Sequence, residues 1–360
     1  MPFTMNLSYY PLDLKLKHTF QIARETRDIQ KNVVVLLKDT DGVDGVGEAA
    51  PTRFFGEEVK SVSSVLDQSI DLLKQANPFY LEDITLLLKE RFPGDAAARA
   101  AIDIALYDMI GKKLKIPLFQ LLGLKQPTTT VTSFTIGIDT LEKMCKKVDE
   151  AKDFPILKIK AGFKEDIETL RKLRKITKAI FRVDVNTGWT FHEAREKLNC
   201  LENLGVELVE QPFPVGSIDA LRKVKRHAKI PIFVDEDIKE AKDIPAFSGA
   251  VDGINIKLMK CGGVREAIRM IHTARAHGLK IMIGCNIESS VSITAAAHLT
   301  PLVDYVDLDG HLLVTNDPYT GVTVDKGRLT LPAGDGLGVS PRNDKALSSS
   351  QDWCKQTVCP

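Results

Sequence analysis

The stretch "ILKIK" at residues 156–160 decides how the rest of the chain is read. Its isoleucines and leucine make it a short buried strand, yet it carries Lys158 and Lys160. Side chains two apart on a strand project to the same side, so two ammonium groups leave an oily segment together. On an edge strand this is ordinary snorkelling of long cationic side chains. On a central strand the two lysines must face something.

Runs of the same kind recur on both sides of it. "TVTSFTIG" (130–137) precedes it, and "FRVDV" (181–185) and "VELVE" (206–210) follow. After these come "IFVDE" (232–236), "INIKL" (254–258), "KIMIG" (280–284) and "YVDLD" (305–309). The eight runs lie about 20 to 26 residues apart. The gaps hold helix-like patterns such as "DIETLRKLRKITKA" and "VREAIRMIHTARAHG", the latter closed by Gly278 as a helix stop. Eight strands alternating with eight helices predict an α/β fold of the (β/α)8 TIM-barrel type over residues 123–320. A doubly wound sheet shares the alternation, but an unbroken count of eight favours the barrel.

The flanks read differently. Residues 1–122 hold a hairpin around Asp41-Gly42 in "NVVVLLKDTDGVDGVGEAAP". Two amphipathic helices follow, so this is an α+β unit set before the barrel. Residues 321–360 begin with short strands and glycine turns in "GVTVDKGRLTLPAGDGLGV" and are predicted to return to the first unit.

Composition narrows the class. The 360 residues are 44% hydrophobic, with 49 basic and 48 acidic side chains and a formal charge of +1. That balance gives no reason to expect nucleic acid or a membrane surface as partner, and leaves a homo-oligomer open. No apolar run approaches the roughly 20 residues of a membrane span. "MPFTMNLSYYPLDLK" lacks the apolar segment of a signal peptide, so a cytoplasmic protein is expected. None of the six cysteines forms a C-x-x-C pair, which reads as free thiols. Cys354 and Cys359 would pair only under oxidant.

Barrel active sites lie at the C-terminal ends of the strands. There the second strand supplies Lys158 and Lys160, the third Asp184, the fourth Glu210 and the fifth Asp235 with Glu236. The sixth supplies Lys257, and the eighth Asp307 and Asp309. One acid in such a place is ordinarily a helix cap. Three on consecutive strands would repel one another without a cation, and hard oxygen ligands suit Mg²⁺. The second and sixth strands of an eight-strand ring are diametrically opposed. Lys160 and Lys257 would therefore face each other, one removing a proton from a carbon and the other returning it on the opposite face. Lys158 would hold charge near the substrate carboxylate.

The residues resemble the enolase superfamily, and within it the muconate-lactonizing-enzyme subgroup. The signatures are "K-x-K" at Lys158–Lys160, "DVNTGW" at 184–189, "EQP" at 210–212, "DED" at 235–237 and "NIKLMKCGG" at 255–263. "GEAAP" at 47–51 and "GLGV" at 336–339 resemble that superfamily's capping domain and its C-terminal return. The resemblance implies a capping domain over a modified barrel, with Asp184, Glu210 and Asp235 around Mg²⁺. The seventh strand ends "IMIGCNIESS" without the histidine of the mandelate-racemase type.

"DLDG" at 307–310 is similar to the D-x-D motif of dipeptide epimerases. Asp307 and Asp309 would then hold the terminal ammonium of a dipeptide. "FQIARETR" resembles the capping segment of L-Ala-D/L-Glu epimerases, which implies that Arg24 pairs with a glutamate side chain. An ordinary surface arginine reads equally well. Thr135, Cys285 and Ile287 match positions that line the dipeptide site in that family, and each is as readily packing. Thr187 and Asp237 depart from the usual "DANQGW" and "DES". The implied activity is Mg²⁺-dependent epimerisation of dipeptides at the C-terminal residue, with murein-derived L-Ala-D-Glu foremost. Alternatives are an epimerase for another dipeptide, a cycloisomerase or o-succinylbenzoate synthase of the same superfamily, a Schiff-base aldolase and a non-catalytic binding barrel.

Overall fold

The computed structural model describes residues 4–126 and 130–342, so Cys354 and Cys359 lie outside the described residues. Three long antiparallel strands open the chain: β1 (Met5–Ile22), β2 (Glu25–Asp39) and β3 (Asp44–Ala49), in the order β1-β2-β3. The β2–β3 turn falls at the Asp41-Gly42 predicted from sequence, with Gly42 at φ 81°. Behind the sheet lie α1 (Val59–Lys74), α2 (Leu81–Arg91) and α3 (Ala96–Leu114). The α3 segment "AAARAAIDIALY" is rich in alanine because β3 runs almost against its backbone. A side chain at Gly47 would stand 1.9 Å from the Ala101 carbonyl.

Eight parallel strands follow, each paired with the next in chain order. They are β4 (Phe134–Ile136), β5 (Ile156–Lys160), β6 (Ile180–Asp184), β7 (Val206–Glu210), β8 (Ile232–Val234), β9 (Gly253–Lys257), β10 (Lys280–Gly284) and β11 (Tyr305–Asp307). The seam between β4 and β11 is closed differently. Ser133 N donates to the Val306 carbonyl at 3.3 Å, and side chains complete the join, with Leu308 N donating to Thr132 Oγ1 at 2.7 Å. Fully buried Leu208, Phe233 and Met282 pack together with Tyr305. Gly253 leaves room there for the Phe233 ring, which a Cβ would meet at 2.3 Å. Arg182 stacks over Tyr305, and its charge is balanced by Glu207 at 2.6 Å.

Two of the eight expected helices are shorter 3₁₀ segments, Ala241–Phe247 after β8 and Gly310–Leu313 after β11. The first contains Pro245, which removes an amide donor and blocks a regular helix. In the second, Gly310 crosses so close to the Asn286 carbonyl that a Cβ would lie 2.3 Å from it. The C-terminal segment reaches back to α3: Asp108, with no exposed surface, accepts from Leu337 N and Val46 N at 2.8 and 2.9 Å. Among the described residues no helix is long and apolar enough to cross a membrane.

Candidate active site

The period-2 geometry of β5 turns Lys158 and Lys160 into the barrel, 2% and 8% exposed. Burying an ammonium is costly unless carboxylates face it. Three face Lys158: its Nζ lies 2.7 Å from Glu210 Oε2, 2.7 Å from Asp307 Oδ2 and 3.2 Å from Asp184 Oδ2. The charge of Lys158 is thus matched by carboxylates of the protein itself, an arrangement that differs from one facing a substrate carboxylate. Lys160 donates to Asp184 Oδ2 at 2.6 Å.

Opposite β5 in the strand order, β9 ends in Lys257, whose Nζ lies 2.8 Å from Asp235 Oδ2. The other Asp235 oxygen is taken by Lys260 at 2.6 Å. Lys260 also donates to the Asp235 and Asn255 carbonyls, the latter at 2.9 Å. Burial opposes ionisation of Asp184 and Asp235, but their lysines outweigh it and hold both below the usual carboxylate range. Burial and the Asp184 charge push Glu210 the other way, up to about 7. Burial opposes the Lys257 charge as well, and Asp235 more than offsets it. Lys158, Lys160, Asp235 and Lys257 line one cavity.

The seam side of the same cavity holds the D-x-D pair, and the two aspartates are not equivalent. Asp307 accepts from Ser133 Oγ at 2.6 Å and from Lys158 at 2.7 Å. Asp309 accepts from Thr135 N at 2.6 Å, and burial together with Asp307 pushes its carboxyl up to about 7. Cys285 Sγ points to the Asp307 carbonyl at 3.3 Å, and Ile287 is buried with its carbonyl on Asn32. Both line the cavity, as does Thr135. Arg24 sits in the turn between β1 and β2. It pairs with Glu236 at 2.7 Å, donates to the Asn186 carbonyl at 3.2 Å and lies over the Phe54 ring.

The twelve residues given a role in the sequence, and Glu236 beside them, thus gather around one barrel mouth. Those not singled out are Lys260, Asn255 and Asn186, although "NIKLMKCGG" and "DVNTGW" contain them. The available signal was spacing: Asn255 lies two before Lys257 on the inward face of β9.

The carboxylates Asp184, Glu210 and Asp235 stand on or just past three neighbouring strands. Among the described residues, side chains are not gathered into a ready-made metal cage, because each of these carboxylates is turned onto a lysine. The fit to a hard dication lies in the donor set. Three buried carboxylates offer only oxygen, and Glu210 Oε2, despite its ion pair, receives no hydrogen bond. A cation is the partner such an oxygen takes.

Residues 10–123 match the N-terminal domain of the mandelate racemase/muconate lactonizing enzyme family, and residues 140–345 match the enolase C-terminal-domain-like family. An L-Ala-D/L-Glu epimerase of Bacteroides thetaiotaomicron is 40% identical over 93% of this chain and 88% of its own length. A hydrophobic dipeptide epimerase of Roseobacter litoralis is 37% identical over 91% of this chain and 96% of its own. Among solved structures, the dipeptide epimerase of Cytophaga hutchinsonii, complexed with Mg and D-Ala-L-Val, superposes with a TM-score of 0.91. It is 28% identical, and the match covers 97% of this chain and 98% of that one.

Proposed function

The chain belongs to the mandelate racemase/muconate lactonizing enzyme family, among the epimerases of the enolase superfamily, and from that premise we propose that it epimerises dipeptides at the α-carbon of the C-terminal residue. One observation carries this reading. Lys160 and Lys257 enter one cavity from opposed strands, with Asp184, Glu210 and Asp235 between them in strand order.

Asp184, Glu210 and Asp235 would hold Mg²⁺. When bound there, Mg²⁺ supplies stabilisation of the negative charge that develops on the substrate carboxylate. Lys160 Nζ, in its neutral form, takes the α-proton from one face as the C–H bond breaks, and the electron pair moves into the carboxylate as an enolate. Lys257 Nζ, kept protonated beside Asp235, returns a proton to the opposite face. Run in reverse, the lysines exchange roles. Asp309 takes the substrate ammonium, since the Asp307 charge is already matched by Lys158.

The substrate favoured is L-Ala-D-Glu, converted to L-Ala-L-Glu in murein peptide metabolism. Arg24 at the cavity wall supports it, as does the likeness to an L-Ala-D/L-Glu epimerase. A cycloisomerase or o-succinylbenzoate synthase would have no ammonium for Asp309 to meet. The deciding experiment incubates a dipeptide library with the enzyme and Mg²⁺ in D₂O and reads it by mass spectrometry. Substrates should gain one mass unit, with Ala-Glu among the fastest. Failure of every dipeptide to exchange would overturn the reading.

A further inference from the structure

Behind Glu210 stands a side chain that the proton transfer does not use. Asn255, with no exposed surface, projects inward from β9 and donates through Nδ2 to Glu210 Oε1 at 2.7 Å. This leaves Glu210 Oε2 facing Lys158, a residue of the cavity wall.

The neighbouring strand makes room for that amide. On β10, Gly284 lies so close that a Cβ there would stand 2.5 Å from Asn255 Oδ1, 2.8 Å from Nδ2 and 3.1 Å from Cγ. All three nearest atoms belong to Asn255. The backbone of Gly284 is not in the left-handed region, so conformational freedom does not explain the glycine. The Asn255 carbonyl meanwhile accepts from Lys260, which grips Asp235. One short segment thus steadies two carboxylates while carrying Lys257.

We propose that Asn255, seated by Gly284, is a positioning residue that fixes Glu210 for Mg²⁺. The inference rests on the Mg²⁺ reading of Asp184, Glu210 and Asp235. The amide is neutral, so its removal leaves the charge of the site unchanged and perturbs only the orientation of the carboxylate. Loss of such an outer hydrogen bond typically weakens metal binding by about 10–100-fold.

Calorimetric titration of Mg²⁺ into the full-length, substrate-free protein tests it, with metal-free melting curves to verify folding. Asn255→Leu should weaken binding by roughly 10–100-fold. Gly284→Ala should do the same without touching Glu210 directly. In an Asn255→Ala background, where no amide meets the new methyl, Gly284→Ala should add no further loss. A purely structural role would lower the melting temperature and leave Mg²⁺ affinity alone. Affinity within twofold of wild type in Asn255→Leu, or equal losses from Gly284→Ala in both backgrounds, would overturn the proposal. Absence of Mg²⁺ binding by the wild type itself would overturn the metal reading instead.

Discussion

Two cations reach the cavity from different parts of the molecule. Lys158 comes from the barrel wall, 2% exposed and matched by three carboxylates. Arg24 comes from the β1–β2 turn, its side chain 28% exposed and held by one carboxylate, one carbonyl and one ring face. Moving Lys158 would strand several buried charges at once. Moving Arg24 would strand only Glu236, a single buried carboxylate, while the arginine itself is partly open to water. The wall is therefore fit to set the reaction, which demands fixed geometry, and the turn is fit to set preference, which tolerates adjustment.

The division is most exposed to test at the wall. Asp184→Asn, Glu210→Gln and Asp235→Asn should each lower turnover by at least roughly 10³-fold with the fold intact. EDTA should abolish activity and Mg²⁺ restore it. Full turnover after metal stripping would remove the carboxylates from the chemistry.

Next in size are the two lysines. Lys160→Ala and Lys257→Ala should stop epimerisation, a loss of roughly 10²–10⁴-fold for each missing acid-base group. Each variant should retain α-proton exchange with solvent for one stereoisomer only. Deuterium incorporation into separated L,L and L,D dipeptides reads this directly, and epimerisation at the wild-type rate by either variant contradicts the two-base assignment.

Asp309 stands between wall and turn in both position and expected effect. Its carboxyl is pushed up to about 7 by burial and by Asp307, and only the ionised form attracts an ammonium. Its share of kcat/KM for free dipeptides should therefore be low below that pH and rise as the pH climbs through it. Asp309→Asn should raise KM by roughly 10–100-fold, less than the full cost of an unpaired buried charge because the group is partly neutral in the free enzyme. N-acetylated Ala-Glu should be a poor substrate of the wild type and no poorer for the variant. An unchanged KM in Asp309→Asn would place the ammonium elsewhere.

Arg24→Ala tests the turn itself. Because the Arg24 side chain is itself partly exposed, the expected change is a few-fold loss for Ala-Glu and almost none for Ala-Leu. If the ratio of the two rates holds, Arg24 has no part in choosing the side chain.

The smallest effect concerns the joint between the two regions. Glu48 of β3, fully buried, accepts from Ser289 and Asn32, and beside it burial pushes Glu288 up to about 8. A carboxyl raised on folding contributes stability that is present in acid and lost as pH rises through the folded value. Glu288→Gln should therefore change thermal stability little near pH 5 and raise it near pH 9. A melting-temperature difference that is flat across that range would argue against a buried, raised carboxyl.

Much of the site is legible in the order of residues, and the legible part is specific. Strands β5, β7 and β10 coincide with the bounds of their apolar runs. The inward positions of Lys158, Lys160, Asp184 and Glu210 follow from alternation along each strand. Strand ends are less legible: Asp235 and Asp309 lie just past their strands, where hydrogen-bonding partners decide the last residue. The two missing helices are hidden, because Pro245 and the crowding at Gly310 act against an otherwise regular alternation.

Which chemical groups stand at which strand end is settled by the sequence alone, since a two-residue period and a count of eight are local facts. Which cation meets which carboxylate is settled only in three dimensions. Lys158 and Asp307 are 149 residues apart, and Asn32 and Ile287 are 255 apart. Their meeting depends on how the strands are staggered around the barrel and on where the first sheet docks. The same holds for the amide of Asn255 in the space left by Gly284. Long side chains in a shared cavity choose partners by distance and burial, and neither quantity exists until the ring has closed.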